Sequence, residues 1–188
     1  MSFFNLFRSG KDNRTRVIET IKRVNDASPL GWDKVTELAV GGLTEVGFSK
    51  STNLLLIVSS SGRSVVDCYS GRKVSRDYDT DGNWYDPANM QCRGIGSISG
   101  ELIAISGLCG GGLPKINRFG ESIEVVAPDW PIEDVIFCPP GKSALIADLQ
   151  QGCCRIFSEN LCTVGFSWDG IFLVIATSSD VIIWKKIS

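Results

Sequence analysis

"LTEVGFSKSTNLLLIVSSSGRSVVDC" (43–68) and "LCTVGFSWDGIFLVIATSSDVIIW" (161–184) are two copies of one pattern. Leu43, Val46, Gly47, Phe48 and Ser49 fall on Leu161, Val164, Gly165, Phe166 and Ser167 at a constant offset, and Ile57, Ser60 and Ser61 keep it. Each copy reads as a strand, a turn of small and polar residues, an apolar strand, a short turn and a third strand. "LLLIVSS" and "FLVIATS" are apolar at nearly every position, as strands covered on both faces would be.

The pattern extends beyond these two copies. "DVIFCPPGKSALIADLQQGCCRIF" (134–157) places Val135, Phe137, Gly141 and Ala147 in register with Val164, Phe166, Gly170 and Ala176, with Leu145 near Leu173. "GSISGELIAISG" (96–107) with "SIEVVAP" (122–128) forms a more degenerate fourth copy. Strands are therefore expected throughout, including "KVTELAV" (34–40) and "ALIADL" (144–149). Before them, "DNRTRVIETIKRV" (12–24) sets Val17, Ile18, Ile21 and Val24 on one helical stripe. Asp12 or Asn13 is the expected cap and "ASPLG" (27–31) the stop. A basic amphipathic helix could lie on a membrane, but the mixed charge and short stripe favour packing on the body. The expected organisation is a helical segment, 1–30, and a β domain, 31–188.

"VGFSWDGIFLVIATSSDVIIW" (164–184) resembles a blade of a β-propeller of the WD-repeat type. It has Phe-Ser, a turn with Asp-Gly, an apolar strand ending in Ala-Thr, and a strand ending in Trp. A period of roughly 30–50 residues marks such folds. The chain lacks a Gly-His element and has Trp184-Lys185 in place of Trp-Asp. The resemblance covers about 43–186. It implies an all-β fold: a small or partial β-propeller-like body of about four three-to-four-stranded repeats, preceded by one N-terminal α-helix. Propellers often finish their last blade with a strand from the other chain end, which hides sheet edges. Residues 34–40 should then pair with 181–184.

Composition narrows the function. Histidine is absent, so no Ser-His or Cys-His nucleophile and no His general base can form. The seven cysteines, Cys68, Cys92, Cys109, Cys138, Cys153, Cys154 and Cys162, include no C-x-x-C pair, which argues against zinc. Their odd number and apolar settings suit free thiols in a reducing compartment. No apolar run approaches the ~20 residues of a membrane span, and "MSFFNLFRSGK" has no cleavable leader pattern. The expectation is a cytoplasmic protein with no membrane role. Residues 1–25 hold six Lys/Arg and two acids; the remainder holds 13 and 19. An acidic body disfavours nucleic acid and favours a basic protein partner.

The candidate chemistry lies in "RDYDTDGNWYD" (76–86). Asp77, Asp79, Asp81 and Gly82 match the first half of a calcium loop, but Ala88 stands where a bidentate Glu belongs. An Asp-Gly turn and an acidic, aromatic contact loop remain. For the contact loop, Asp77, Asp79, Asp81, Trp84, Tyr85 and Asp86 are the protein-binding candidates, because carboxylates pair with Lys/Arg and Trp and Tyr anchor interfaces. The segment 75–93 interrupts the repeat and is expected to project from it.

Other motifs read as structure. "PPGKS" (139–143) has Ile136 where a phosphate loop needs glycine, and "GIGSISG" (94–100) lacks a dinucleotide fingerprint's third glycine. "CGGGLPK" (109–115) reads as a loop. In Cys153-Cys154, alternation should turn one thiol inward and one outward.

No enzymatic activity, cofactor or metal is expected. In size, acidity and lack of a catalytic set the chain is similar in outline to bacterial toxin-immunity proteins of contact-dependent growth inhibition systems. That similarity implies a binding protein that neutralises a basic, nuclease-type toxin. A propeller scaffold for a cellular protein or peptide, or a calcium-binding or carboxylate enzyme, is the alternative.

Overall fold

The computed structural model describes residues 4–187, with side chains from Asn13 onward. In chain order the elements are α1 (Phe4–Ile21), β1 (Trp32–Ala39), β2 (Leu43–Phe48), β3 (Leu54–Ser59), β4 (Gly62–Asp67), β5 (Arg72–Asp77), β6 (Tyr85–Asp86), β7 (Gln91–Arg93) and β8 (Leu102–Ala104). There follow β9 (Ser106–Gly107), β10 (Ser122–Val126), β11 (Glu133–Cys138), β12 (Cys154–Glu159), β13 (Thr163–Phe166), β14 (Phe172–Ala176) and β15 (Asp180–Lys186). The protein is mainly β with a single helix. Its strands form four antiparallel sheets, ordered β5-β4-β3-β2-β9, β1-β15-β14-β13, β6-β7-β8 and β10-β11-β12. Internal contacts divide the chain into two compact units, 31–119 with 160–188, and 1–30 with 120–159.

In the first unit the two sequence copies are the centres of two sheets. Every residue of β3 is buried. Leu55 and Ile57 face a cluster with Phe172, Val174, Val181 and Ile183 of the β13–β15 sheet. Leu54, Leu56 and Val58 face Cys92, Ile98 and Ile103 on the side of the β6–β8 sheet. A strand covered on both faces has no reason to alternate, which explains the unbroken "LLLIV" run. The repeated glycine also has a physical cause. At Gly47 a Cβ would overlap the Ala104 carbonyl, and at Gly165 it would overlap Leu113. Each marks a place where a neighbouring segment crosses the strand at backbone distance.

β1 pairs antiparallel with β15 from Trp32↔Lys186 to Ala39↔Asp180, with a bulge at Lys34/Thr36. The expected pairing of 34–40 with 181–184 is therefore present. Val35 and Leu38 pack against the apolar cluster that buries Val40. Without β1, the backbone groups of β15 would be an open template for another chain. At the far edge of the five-stranded sheet, β5 carries the charged sequence "RKVSRD", which serves the same protective end.

In the second unit, α1 ends against the sheet β10-β11-β12. Ile21 and Val24 join Ile136, Cys138 and Ala144 in a buried cluster, whereas Val17 is exposed. Arg155 ties the segment after the helix to the sheet through Asp26 (2.5 Å) and Asp134 (3.2 Å).

The structure corrects three sequence expectations. The helix begins by Phe4, so residues 12 and 13 lie inside it and are not its cap. "ALIADL" is not a strand: it forms a turn and a 3₁₀ helix, Ala147–Leu149. β11, the strand before it, is paired on both sides by β10 and β12, and the run serves as the connection from β11 to β12. Finally, 75–93 is not an insertion outside the scaffold. Residues 75–77 belong to β5, 85–86 to β6 and 91–93 to β7, and the segments 78–84 and 87–90 connect these strands.

Candidate functional site

The six candidate residues fall into two groups. Asp77 ends β5 and pairs with the guanidinium of Arg63, which is almost wholly buried. Its other oxygen accepts the amide of Asp79 at 2.9 Å. That amide and the Arg63 charge hold the Asp77 carboxyl below the usual carboxylate range. Asp86 is also internally committed, accepting from the amides of Ala88 and Asn89 (both 3.1 Å) and from Asn89 Nδ2 (2.8 Å). Its carboxyl too is lowered, chiefly by Asn89. Trp84 and Tyr85 are half-buried against the β6–β8 side of the core, and the Arg63 guanidinium lies 4.5 Å from the Trp84 ring centre.

Asp79 and Asp81 are different. Both are exposed. Asp79 Oδ1 accepts the Asp81 amide at 2.8 Å, which shapes the turn and leaves the charge facing solvent. Tyr78 beside them is 76% exposed. The sequence thus identified the loop, but its alternate carboxylates do not converge. Among the described residues no group of three or more His, Cys, Asp or Glu is gathered as a metal site would require.

Beneath this loop lies a pocket of about 250 Å³. Thr80, Gly82 and Trp84 line it from the loop, Tyr85 from β6, and Val58 and Glu45 from β3 and β2. Glu45 is 2% exposed. Its Oε1 accepts the Tyr85 hydroxyl at 3.2 Å. Burial, Cys109 and Glu45 together push the Tyr85 phenol well up, so it remains a donor. Glu45 was missed at the sequence level. The available signal was a charged residue in the apolar "LTEVGF" strand, at a position that alternation assigns to one face with Leu43 and Gly47.

A second cleft, of about 310 Å³, is lined by the turns that follow the two Phe-Ser pairs. Ser49 and Ser51 both donate to the Glu101 carboxylate. Ser167 donates to Asp169 at 2.5 Å. Trp168 donates its indole N–H to the Phe48 carbonyl at 3.1 Å, and Lys50 Nζ sits 4.9 Å from its ring centre. The repeated serines therefore brace the two turns and form part of one polar, aromatic-walled hollow.

The remaining motifs are structural. "PPGKS" is a turn closed by Lys142 N–H donating to the Pro139 carbonyl at 3.0 Å. In the glycine-rich loop, Lys115 donates to the Val164 carbonyl at 2.6 Å and fixes the loop to the last repeat. Cys154 opens β12 and is buried; Cys153 precedes the strand and is half-buried against the cluster of Ile136 and Cys138, so neither thiol is turned fully outward.

No known protein family matches the chain, and no curated protein matches it. No helix among the described residues is long and apolar enough to cross a membrane.

Proposed function

We propose that the protein is a non-catalytic binding protein whose partner is a basic protein, and that the contact centres on the loop between β5 and β6. One observation carries this: Asp79, Asp81 and Tyr78 are exposed together on a turn braced from within by Asp77. A pre-shaped turn loses little conformational freedom on binding, and exposed carboxylates steer a cationic partner and set its orientation. Asp77, Trp84, Tyr85 and Asp86 support the loop. The specific form of the proposal is a cytoplasmic immunity protein against a nuclease-type toxin, whose nucleic-acid-binding face is necessarily basic. Seven free cysteines are in keeping with a reducing compartment. The blade-like sheets, with β1 completing the sheet of β15, support a propeller-like scaffold.

The test is co-expression with a basic nuclease domain encoded in the adjacent reading frame. The chain should form a complex and suppress nuclease activity, and Asp79→Asn/Asp81→Asn should weaken the complex and flatten its salt dependence. A full-strength complex with the double variant removes the loop from the proposal; absence of any complex removes the toxin.

The cleft between the Phe-Ser turns favours a second reading, a scaffold that holds a cellular peptide there. Trp168→Ala would then abolish peptide binding and leave the loop-dependent complex unchanged.

A further inference from the structure

The pocket under the acidic loop has a carboxylate that no described basic side chain neutralises. No described Lys or Arg is ion-paired with Glu45. Arg63, the buried cation of this region, is committed to Asp77 and to the Arg93 carbonyl. Among the described residues only the Tyr85 hydroxyl donates to Glu45, at Oε1, so Oε2 accepts no hydrogen bond. A buried, unpaired carboxylate is costly to maintain, and a cation that reaches it is bound with little competition from water.

We infer that this pocket receives a lysine side chain of the basic partner, its ammonium donating to Glu45 and its methylene stem lying along Val58, Trp84 and Tyr85. Three features select lysine. The volume of about 250 Å³ accommodates a four-carbon stem. The walls combine apolar and aromatic surface, which suits a stem that packs while its head is charged. Oε1 already accepts from Tyr85 and Oε2 from no described donor, so a guanidinium's two-pronged contact would have to share Oε1 with Tyr85, whereas a point-charge ammonium can bind at Oε2 alone. Asp79 and Asp81 alternate along the chain with the rim residues Thr80 and Gly82, so the exposed charge draws cations to the mouth. The inference rests on the proposed basic partner and identifies which of its side chains is buried.

The experiment is an NMR titration of the full chain with n-butylammonium, the lysine side chain alone, beside 1-butanol and n-propylguanidinium. Butylammonium should give saturable shifts at Val58, Gly82 and the Trp84 indole. Butanol and propylguanidinium should bind there about tenfold more weakly or less, as expected when a charge-assisted hydrogen bond is lost or misfitted. Glu45→Gln should weaken butylammonium by a similar factor. Equal response to butanol in the wild-type protein, or shifts that avoid the pocket, overturns the inference without recourse to a variant. Titration with a hexalysine peptide separates the two proposals. If hexalysine binding falls in Asp79→Asn/Asp81→Asn but not in Glu45→Gln, and butylammonium leaves the pocket unmoved, the lysine pocket is wrong and the basic partner stands. If butylammonium fills the pocket but hexalysine shows no salt-sensitive, loop-dependent binding, the basic partner is wrong and the ammonium site stands.

Discussion

Asp77 and Asp79 are two positions apart and differ in what their charge does. Asp77 closes an ion pair with buried Arg63 and caps the turn through the Asp79 amide, so its folded-state pKa lies below its unfolded value. A lowered carboxylate pKa stabilises fully above the unfolded value of about 3.9 and loses that effect as pH falls through the folded value. Asp77→Asn should therefore lower the urea midpoint at about pH 7, and the gap to wild type should narrow as pH falls from about 3.9 through the lower folded value, where Asp77 takes up its proton. Among the described residues, Asp79 and Asp81 make no such bond to a cation. Their double Asn variant should keep its folding stability within about 0.5 kcal/mol, as exposed substitutions generally do. A midpoint loss as large as that of Asp77→Asn would show that the exposed pair is structural after all.

At the scale of elements, β3 and β1 carry the most weight. β3 is fully buried and packs apolar side chains on both faces. Leu56→Ala should cost about 2–5 kcal/mol by chemical denaturation, the range for emptying a tight core position. Gly47→Ala should also destabilise, by about 1–3 kcal/mol, because the added methyl meets the Ala104 backbone, which cannot move aside as a flexible side-chain end would. β1 protects an edge. Proline substitutions at Thr36 and Leu38, which disrupt β1 and leave α1 in place, should uncover β15 and yield oligomers or aggregates on size-exclusion chromatography. A monomeric, cooperatively folding product would show that β1 is dispensable.

For the whole molecule, burial sorts the thiols. Cys109 is exposed, while Cys68, Cys92, Cys138 and Cys154 are buried. Burial pushes Cys92 and Cys154 up to about 11, and Cys68 and Cys138 further. Because the thiolate is the reactive species, a disulfide reagent should label Cys109 first in the native protein, and all seven cysteines once it is unfolded. Cys109→Ser should remove the fast phase. A fast phase that persists would mean that another thiol is within easy reach of solvent.

Read alone, the sequence determined the secondary-structure class, the three-stranded pattern shared by 43–68 and 161–184, and the pairing of 34–40 with 181–184. All of these follow from local patterning: runs of β-branched residues, turn residues at fixed spacing, and an incomplete last repeat. It also singled out the 76–86 stretch, because an Asp-rich turn beside two aromatics is visible in one dimension. Only the tertiary structure decided which of its carboxylates face solvent. That depends on Arg63, which β4 places beside Asp77 across the ladder from β5. It also decided that "ALIADL" is no strand: β11 pairs on both sides with its neighbours β10 and β12, and the segment that joins β11 to β12 turns through a 3₁₀ helix. Glu45 shows the limit most clearly. In sequence it is one acid in a strand. Folding places it beside the Tyr85 hydroxyl, at the wall of a pocket closed by a loop some thirty-five residues further on. Burial and unmet charge are properties of packing between segments, and no local pattern encodes them.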